Sequence, residues 1–333
     1  MVGDRLSEVF DLVEVRGLLS GGLAVRGPWV SRAGIDHPLK FFAMLRGRAR
    51  LVTDGVHGMI ELEPGDVAVL NNRSWLEVEG GTGDGPRREV TPAADFPAAD
   101  FIRADGGTDV LVGGHVDLNP TGRALLLQAL PPVAHVRASA AAAGNLRGTL
   151  HRLFDEVTGD RMGSAFAIRQ YGQLLVLEVL RAYVGQTELP PGWLRALTDE
   201  RLRPALGLMH AEPGKRWGLE DLARAAAMSR TSFAERFRAT AGVPPLTYLN
   251  RWRMLLAQRA LRDGDARVGS LAFDLGYASE SAFSTAFKRE VGESPLRYRR
   301  RVRDEDSGAR LEHTRRWSAA AGPAAPPTAA PSG

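Results

Sequence analysis

The spacing of apolar positions changes character along the chain. Between residues 39 and 78 the apolar runs are short and broken by turn residues. KFFAMLRGRARLV is interrupted at Gly47, and ELEPGDVAVLNN turns at Pro64 and Gly65 before a further apolar run. Short strands punctuated by glycine predict a sandwich or barrel. GGTGDG at 80–85 reads as a loop, and TDVLVGGHVDL at 108–118 adds a strand-like stretch. From about residue 140 the period becomes helical. Within 166–184, Ile168, Leu174, Leu175, Leu177, Val179 and Leu180 gather at helical spacing. Such a face reads first as core and second as a dimer contact or coupling element. After GWLRALTDERLRPALGLMHAEPG, helix is expected almost throughout to Arg303. The Ala/Pro-rich remainder, 304–333, lacks apolar periodicity and is expected to be disordered.

The helical third contains a repeat. With an offset of 50, Ser229 answers Ser279, Phe233 answers Phe283, Phe237 answers Phe287, Gly242 answers Gly292, Pro245 answers Pro295 and Tyr248 answers Tyr298. Leu222-Ala223 opens the first copy and Leu271-Ala272 the second, with one residue fewer before the turn in the first. Each copy reads as helix, tight turn, helix. Met228 in one copy and Gly276 in the other fall in the turn. A serine caps the second helix by accepting a free backbone N–H. A phenylalanine pair at i, i+4 lies on one face, and a glycine ends the helix in the left-handed cap. Between the copies, LTYLNRWRMLLAQRALRD predicts one long helix with Leu249, Trp252, Leu255, Leu256, Ala260 and Leu261 as its apolar surface. Over about 18 residues it spans roughly 27 Å, close to the roughly 34 Å of one duplex turn.

Charge sharpens this picture. The net +4 of the 333 residues conceals 18 Lys and Arg against 10 Asp and Glu in 211–303, leaving 25 basic and 29 acidic residues elsewhere. A basic module joined to a mildly acidic one suits a polyanion at one end only. With the phenylalanines inward, Arg230, Thr231, Ser232, Glu235 and Arg238 face outward in the first copy. Glu280, Ser281, Thr285, Lys288 and Arg289 do so in the second. The second helix of such a unit enters the DNA major groove. There, arginine and lysine suit guanine edges and phosphates, and glutamate accepts from the cytosine amino group.

The strings LARAAAMSRTSFAERFRATAGVPPLTYL, WRMLLAQRAL and LGYASESAFSTAFKREVGESPLRYRR, spanning about 217–300, resemble the AraC-type (AraC/XylS) family of transcription regulators. That resemblance implies base-facing positions at Thr231, Ala234 and Glu235, and at Glu280, Ser281, Ala282 and Thr285. Several of these are small or acidic, which shifts weight to phosphate contacts and DNA shape. Arg230, Arg238, Arg251, Lys288 and Arg289 are the phosphate candidates. GPWVSRAGIDHPLKFFAMLRGRARLV, LEPGDVAVL and GRALLLQALPPVAHV resemble, more loosely, the cupin-type sensor domain of one branch of the family. The implied fold is an α+β two-domain chain: a cupin-like β-barrel sensor at 1–135, a helical linker and dimerisation segment at 136–210, an all-α double helix-turn-helix domain at 211–303, and the tail. Promoter DNA is the implied partner, with a small-molecule effector, a second copy of the chain and, for an activator, RNA polymerase beside it.

Enzymatic readings find little to stand on. The chain has no cysteine, which removes disulfides, thiolate metal sites and cysteine nucleophiles. The rival function is a metal-dependent cupin enzyme carrying a DNA-binding appendage. Cupin metals are gripped by a close His-x-His pair, whereas His37, His57 and His115 are scattered and read as surface or core residues. Asp66 in EPGD reads as a turn residue. GGTGDG lacks the lysine and the strand-to-helix setting of a phosphate loop. No catalytic residue, metal or cofactor is expected. No run of about 18 apolar residues occurs, and the first residues lack a secretory apolar core, so a cytoplasmic, nucleoid-associated regulator is expected.

Overall fold

The computed structural model describes residues 5–17, 21–83, 85–92, 108–139, 143–159, 161–186 and 189–304. The expected tail lies outside the described residues from 305 onward. The chain forms two compact units, residues 1–207 with 223–245 and residues 208–222 with 246–333.

The first unit opens with α1 (Arg5–Phe10) and is built on strands. These are β1 (Val15–Gly17), β2 (Gly21–Arg26), β3 (Trp29–Gly34), β4 (Leu39–Arg46), β5 (Ala49–Thr53), β6 (Ile60–Leu62), β7 (Val67–Asn71), β8 (Trp75–Gly80), β9 (Arg88–Glu89), β10 (Thr108–His115), β11 (Asp117–Leu118) and β12 (Val133–Val136). One five-stranded sheet runs β12-β7-β4-β10-β2 and the other β6-β5-β8-β3-β9. Their inner faces meet in one core, with Leu23, Phe42, Met44, Leu70 and Leu111 on one side and Trp29, Leu51, Leu62, Leu76 and Val78 on the other. This is the face-to-face arrangement that half-apolar strands favour. Gly80 permits it at one corner: a Cβ there would stand 2.7 Å from the Trp29 ring. The indole of Trp29, fully buried, donates to Asp109 Oδ2 at 2.7 Å.

Within the region expected to be a barrel, 120–129 is helical. Helix α2 (Pro120–Ala129) begins at Asn119, whose Oδ1 accepts from Gly122 N–H at 2.9 Å, with proline in the first turn. Asn119 is buried and also donates through Nδ2 to the Leu12 carbonyl at 2.8 Å, tying the start of the unit to α2. Helices α3 (Ala143–Thr158) and α4 (Ser164–Gln186) then pack on each other. The apolar face of α4 is core. Leu175, Val179 and Leu180 are buried and border the same small cavity as Phe41, Val67 and Val69 of the first sheet. Leu174 lies outside that face and is exposed.

The remaining helices are α5 (Trp193–Thr198), α6 (Arg203–Ala211), α7 (Leu219–Ala225), α8 (Arg230–Ala241), α9 (Pro245–Asp263), α10 (Val268–Asp274), α11 (Glu280–Val291) and α12 (295–304). The core of the second unit gathers Met254, Ala257 and Leu261 of α9 with Leu271, Phe283, Phe287 and Tyr298. Buried His210 stacks on Trp252 at 4.0 Å, and its Nε2 lies 3.0 Å from the Tyr248 hydroxyl. Among the described residues, no helix is long and apolar enough to cross a membrane.

Asp66 does more than close a turn. Besides accepting from Glu63 N–H at 3.1 Å, it accepts from Ala138 N–H at 2.7 Å and lies 2.9 Å from His135 Nε2, pinning the end of β12 to β7. Burial alone would raise its pKa. The hydrogen bonds of His135, Ala138 and Glu63 outweigh that and hold it below the ordinary carboxylate value. A depressed folded pKa contributes stability above the unfolded value of about 3.9, and that stability is lost as pH falls through the folded pKa. Asp66→Asn is therefore expected to cost about 1–3 kcal/mol at pH 7. The variant should also lose less melting temperature than the wild type on acidification below about pH 4, read by circular dichroism.

Candidate nucleic-acid interface

The two copies of the repeat fold by the same local rules. Ser229 precedes α8 and its hydroxyl accepts from Ser232 N–H at 3.2 Å; Ser279 precedes α11 and accepts from Ala282 N–H at 3.1 Å. Phe233 and Phe237 are fully buried with ring centroids 5.7 Å apart, and so are Phe283 and Phe287 at 5.7 Å. Gly242 (φ 73°) and Gly292 (φ 91°) end the helices in the left-handed conformation. The turns also match. Ala227 N–H bonds to the Arg224 carbonyl and Met228 N–H to the Ala223 carbonyl. Gly276 and Tyr277 repeat this with Phe273 and Ala272.

Burying one aromatic face leaves the opposite face of each short helix outside. Arg230, Thr231, Ser232, Glu235 and Arg238 are all exposed on α8, as are Glu280, Ser281, Thr285, Lys288 and Arg289 on α11. Of the two further positions implied by the family resemblance, Ala282 is exposed and Ala234 half-buried. Arg230, Arg238, Lys288 and Arg289 make no ion pair among the described residues, so their charges are available to an incoming anion. Arg251, exposed on α9, differs: its Nε donates to Glu290 Oε1 at 3.1 Å. An exposed pair of this kind contributes about 0–1 kcal/mol and yields readily to a phosphate. Glu280 stands in the first turn of α11, where a carboxylate also complements the helix N-terminus.

The sequence pattern did not single out the residues that anchor α8 within its unit. Asp199, just past α5, receives Arg236 through Nε (3.0 Å) and Nη2 (2.9 Å), and also accepts from the N–H groups of Arg201 and Leu202. Burial would raise the Asp199 pKa, but Arg236 and these N–H groups together hold it below the usual carboxylate range. Gly192 N–H bonds to the Thr240 carbonyl at 2.9 Å, and the Trp193 indole donates to the Leu125 carbonyl of α2 at 2.9 Å. Helix α5 and its flanking residues thus lie hydrogen-bonded between α2 and α8. The acid in TDE and the arginine in ERF look like ordinary surface charges, and 37 residues separate them.

The three histidines weighed as metal ligands do not converge. His57 is exposed in the loop between β5 and β6, and His37 stacks on His115 with ring centroids 4.0 Å apart. Among the described residues, no group of three or more His, Cys, Asp or Glu side chains could hold a metal ion.

Comparison with known proteins agrees with this anatomy. A family profile described as Cupin matches residues 4–185, and one described as Helix-turn-helix domain matches 222–301. A protein of Streptomyces lividans described as an AraC-like transcription regulator is 36% identical over 301 residues, covering 89% of this chain and 98% of its own length. One of Streptomyces antibioticus with the same description is 36% identical over 305 residues, with the same coverage of 89% and 98%. Among solved structures, the DNA-binding domain of the global transcriptional factor AdpA, in complex with a target DNA, is 33% identical. It covers 32% of this chain and 96% of its own, with a TM-score of 0.31.

Two substitutions test the local physics. Ala227 holds φ 50° where the second copy has Gly276 at φ 79°. Ala227→Gly is expected to stabilise the fold by up to about 1 kcal/mol, because glycine carries no left-handed penalty; a fall in urea midpoint would contradict this. Asp199→Asn removes the charge that Arg236 faces. With Arg236 partly screened by solvent, the expected loss is about 1–2 kcal/mol, read as a lower midpoint in urea unfolding.

Proposed function

Because the chain belongs to the AraC-like family of transcription regulators, we propose that α8 and α11 are its two reading helices on double-stranded promoter DNA. It is a DNA-binding transcription regulator with a helix-turn-helix domain behind a cupin domain, not an enzyme. The observation that carries the finer reading is the pair of matched helices, each with its aromatic side buried and its polar side exposed. Arg230, Arg238, Arg251, Lys288 and Arg289 take phosphates in this reading. Thr231, Ser232, Glu235, Glu280, Ser281 and Thr285 meet base edges or the groove wall.

In the same reading, 1–135 senses an effector, 136–210 links and pairs subunits, and 211–303 binds DNA at the nucleoid, in the cytoplasm. A bound small molecule shifts the regulator only by favouring one arrangement over another. Helix α5, bonded to α2 through Trp193 and flanked by Asp199 with its Arg236 partner, is the element through which such a preference reaches α8. A second copy of the chain, and RNA polymerase at activated promoters, are the remaining partners.

Gel-shift titrations on genomic fragments bound by the chain test the assignment. Affinity is expected to fall steeply with salt as phosphates are neutralised. Arg289→Ala should weaken all sites alike and reduce the salt slope by about one. Glu280→Ala should change the ranking of sites, and equal loss on every sequence would remove Glu280 from base readout.

A further inference from the structure

Between the two sheets of the cupin domain lies a cavity of about 160 Å³. Leu23 and Phe42 of one sheet and Leu76 and Val78 of the other give it apolar walls, and Ser31 and Lys40 are its polar side chains. An apolar space of about 150 Å³ holds a benzene-sized molecule. Lys40 is the one charged residue lining it. The amine stands 5.6 Å from the centre of the Phe42 ring, and no hydrogen bond or ion pair holds it among the described residues. Burial pushes its pKa below the ordinary lysine value, opposed by the charge of Asp36.

The strand register adds a second group. His115 on β10 stands directly across from Lys40 on β4, and Gly113 across from Phe42, so these four positions share one face of the sheet. His115 stacks on His37, with the rings 11° from parallel. Burial, then the charges of His37 and Lys40, lower its pKa, while Asp117 opposes them. A partly desolvated lysine amine across the strand pair from an imidazole whose charged form is disfavoured is the pairing that carbonyl chemistry needs: a nucleophile, and a group that moves protons. An anionic ligand would bring a second charge into apolar walls with Lys40 and Ser31 as its polar partners. A neutral carbonyl compound enters without that cost.

We propose that this cavity captures a small apolar aldehyde, of about one ring in size, as an imine on Lys40 Nζ, with His115 as the proton carrier. The amine lone pair attacks the carbonyl carbon, and the C=O π pair moves to oxygen, which takes one of the two amine protons through His115. The carbinolamine then loses water: its C–O bond breaks as the hydroxyl takes the second amine proton through His115, and the nitrogen lone pair forms C=N. The sum is amine plus aldehyde giving imine plus water, with no oxidant or reductant. The reaction is reversible. This chemistry deepens the effector reading of the cupin domain and rests on it only for its regulatory meaning.

The chain has three lysines, Lys40, Lys215 and Lys288, and the last two are exposed, so each protein carries its own controls. The full chain is incubated with benzaldehyde and cyanoborohydride, which reduces imines to stable amines, and the adducts are mapped by mass spectrometry. Lys40 is expected to be labelled at least about tenfold faster than Lys215 or Lys288. His115→Gln should slow labelling at Lys40 while leaving the other two unchanged. Equal labelling of the three lysines overturns the proposal, as does labelling confined to Lys215 and Lys288. Saturable benzoate binding with no benzaldehyde adduct at Lys40 also overturns it and gives the cavity to an anion. Retardation of promoter DNA by the untreated wild-type chain is measured in parallel. Loss of the adduct with DNA binding intact removes aldehyde capture alone, whereas loss of DNA binding strikes the regulator reading separately.

Discussion

Two aromatic rings one helical turn apart, both out of water, decide which face the second helix of each repeat copy turns outward. Phe233 with Phe237 and Phe283 with Phe287 are fully buried. Burying such rings yields roughly 1.5–3 kcal/mol apiece, so a rotation of either short helix that exposed them would be strongly disfavoured. A twelve-residue helix fixed about its axis in this way has no freedom over which side faces outward. The charged and hydroxylic residues are therefore held in place by contacts made on the opposite side, and their chemistry can vary without disturbing the fold.

This explains why the duplicated head was legible in the sequence. Its signals are local: a serine before each helix, phenylalanines four apart, a glycine after. Each acts within a few residues and repeats at a fixed offset. The cupin domain was legible as a class but not as a topology. β10 pairs with both β4 and β2, across gaps of dozens of residues that no local spacing encodes. Helix α2 did carry a local signal, Asn119 followed by Pro120, but it sits in a string otherwise read as barrel. The bond between Asp199 and Arg236 was beyond reach for a different reason. Either residue alone is an unremarkable surface charge, and only the approach of α5 to α8 gives the pair meaning.

The polar groups inside the cupin domain divide into two kinds. Asn119 and Asp66 are surrounded by hydrogen-bond partners, as buried polar groups in a stable interior are expected to be. Lys40 differs: half-buried, it lines a largely apolar cavity in which Ser31 is the other polar side chain, with Asp36 acting through its charge. Its two polar side chains set this cavity apart from the smaller space under α4, whose lining is wholly apolar.

The anchoring of α8 bears on how the protein can be dissected. A fragment trimmed to the helix-turn-helix repeat, starting near residue 211, would leave Asp199 behind along with the backbone bond from Gly192 to Thr240. Arg236 would then keep its partly buried position with nothing opposite it. The same cut removes His210, with its stacking on Trp252 and its contact to the Tyr248 hydroxyl, so α9 also loses a buried neighbour. Looseness of α8 and α9 in an excised piece would thus be a product of the cut, not a property of the intact regulator.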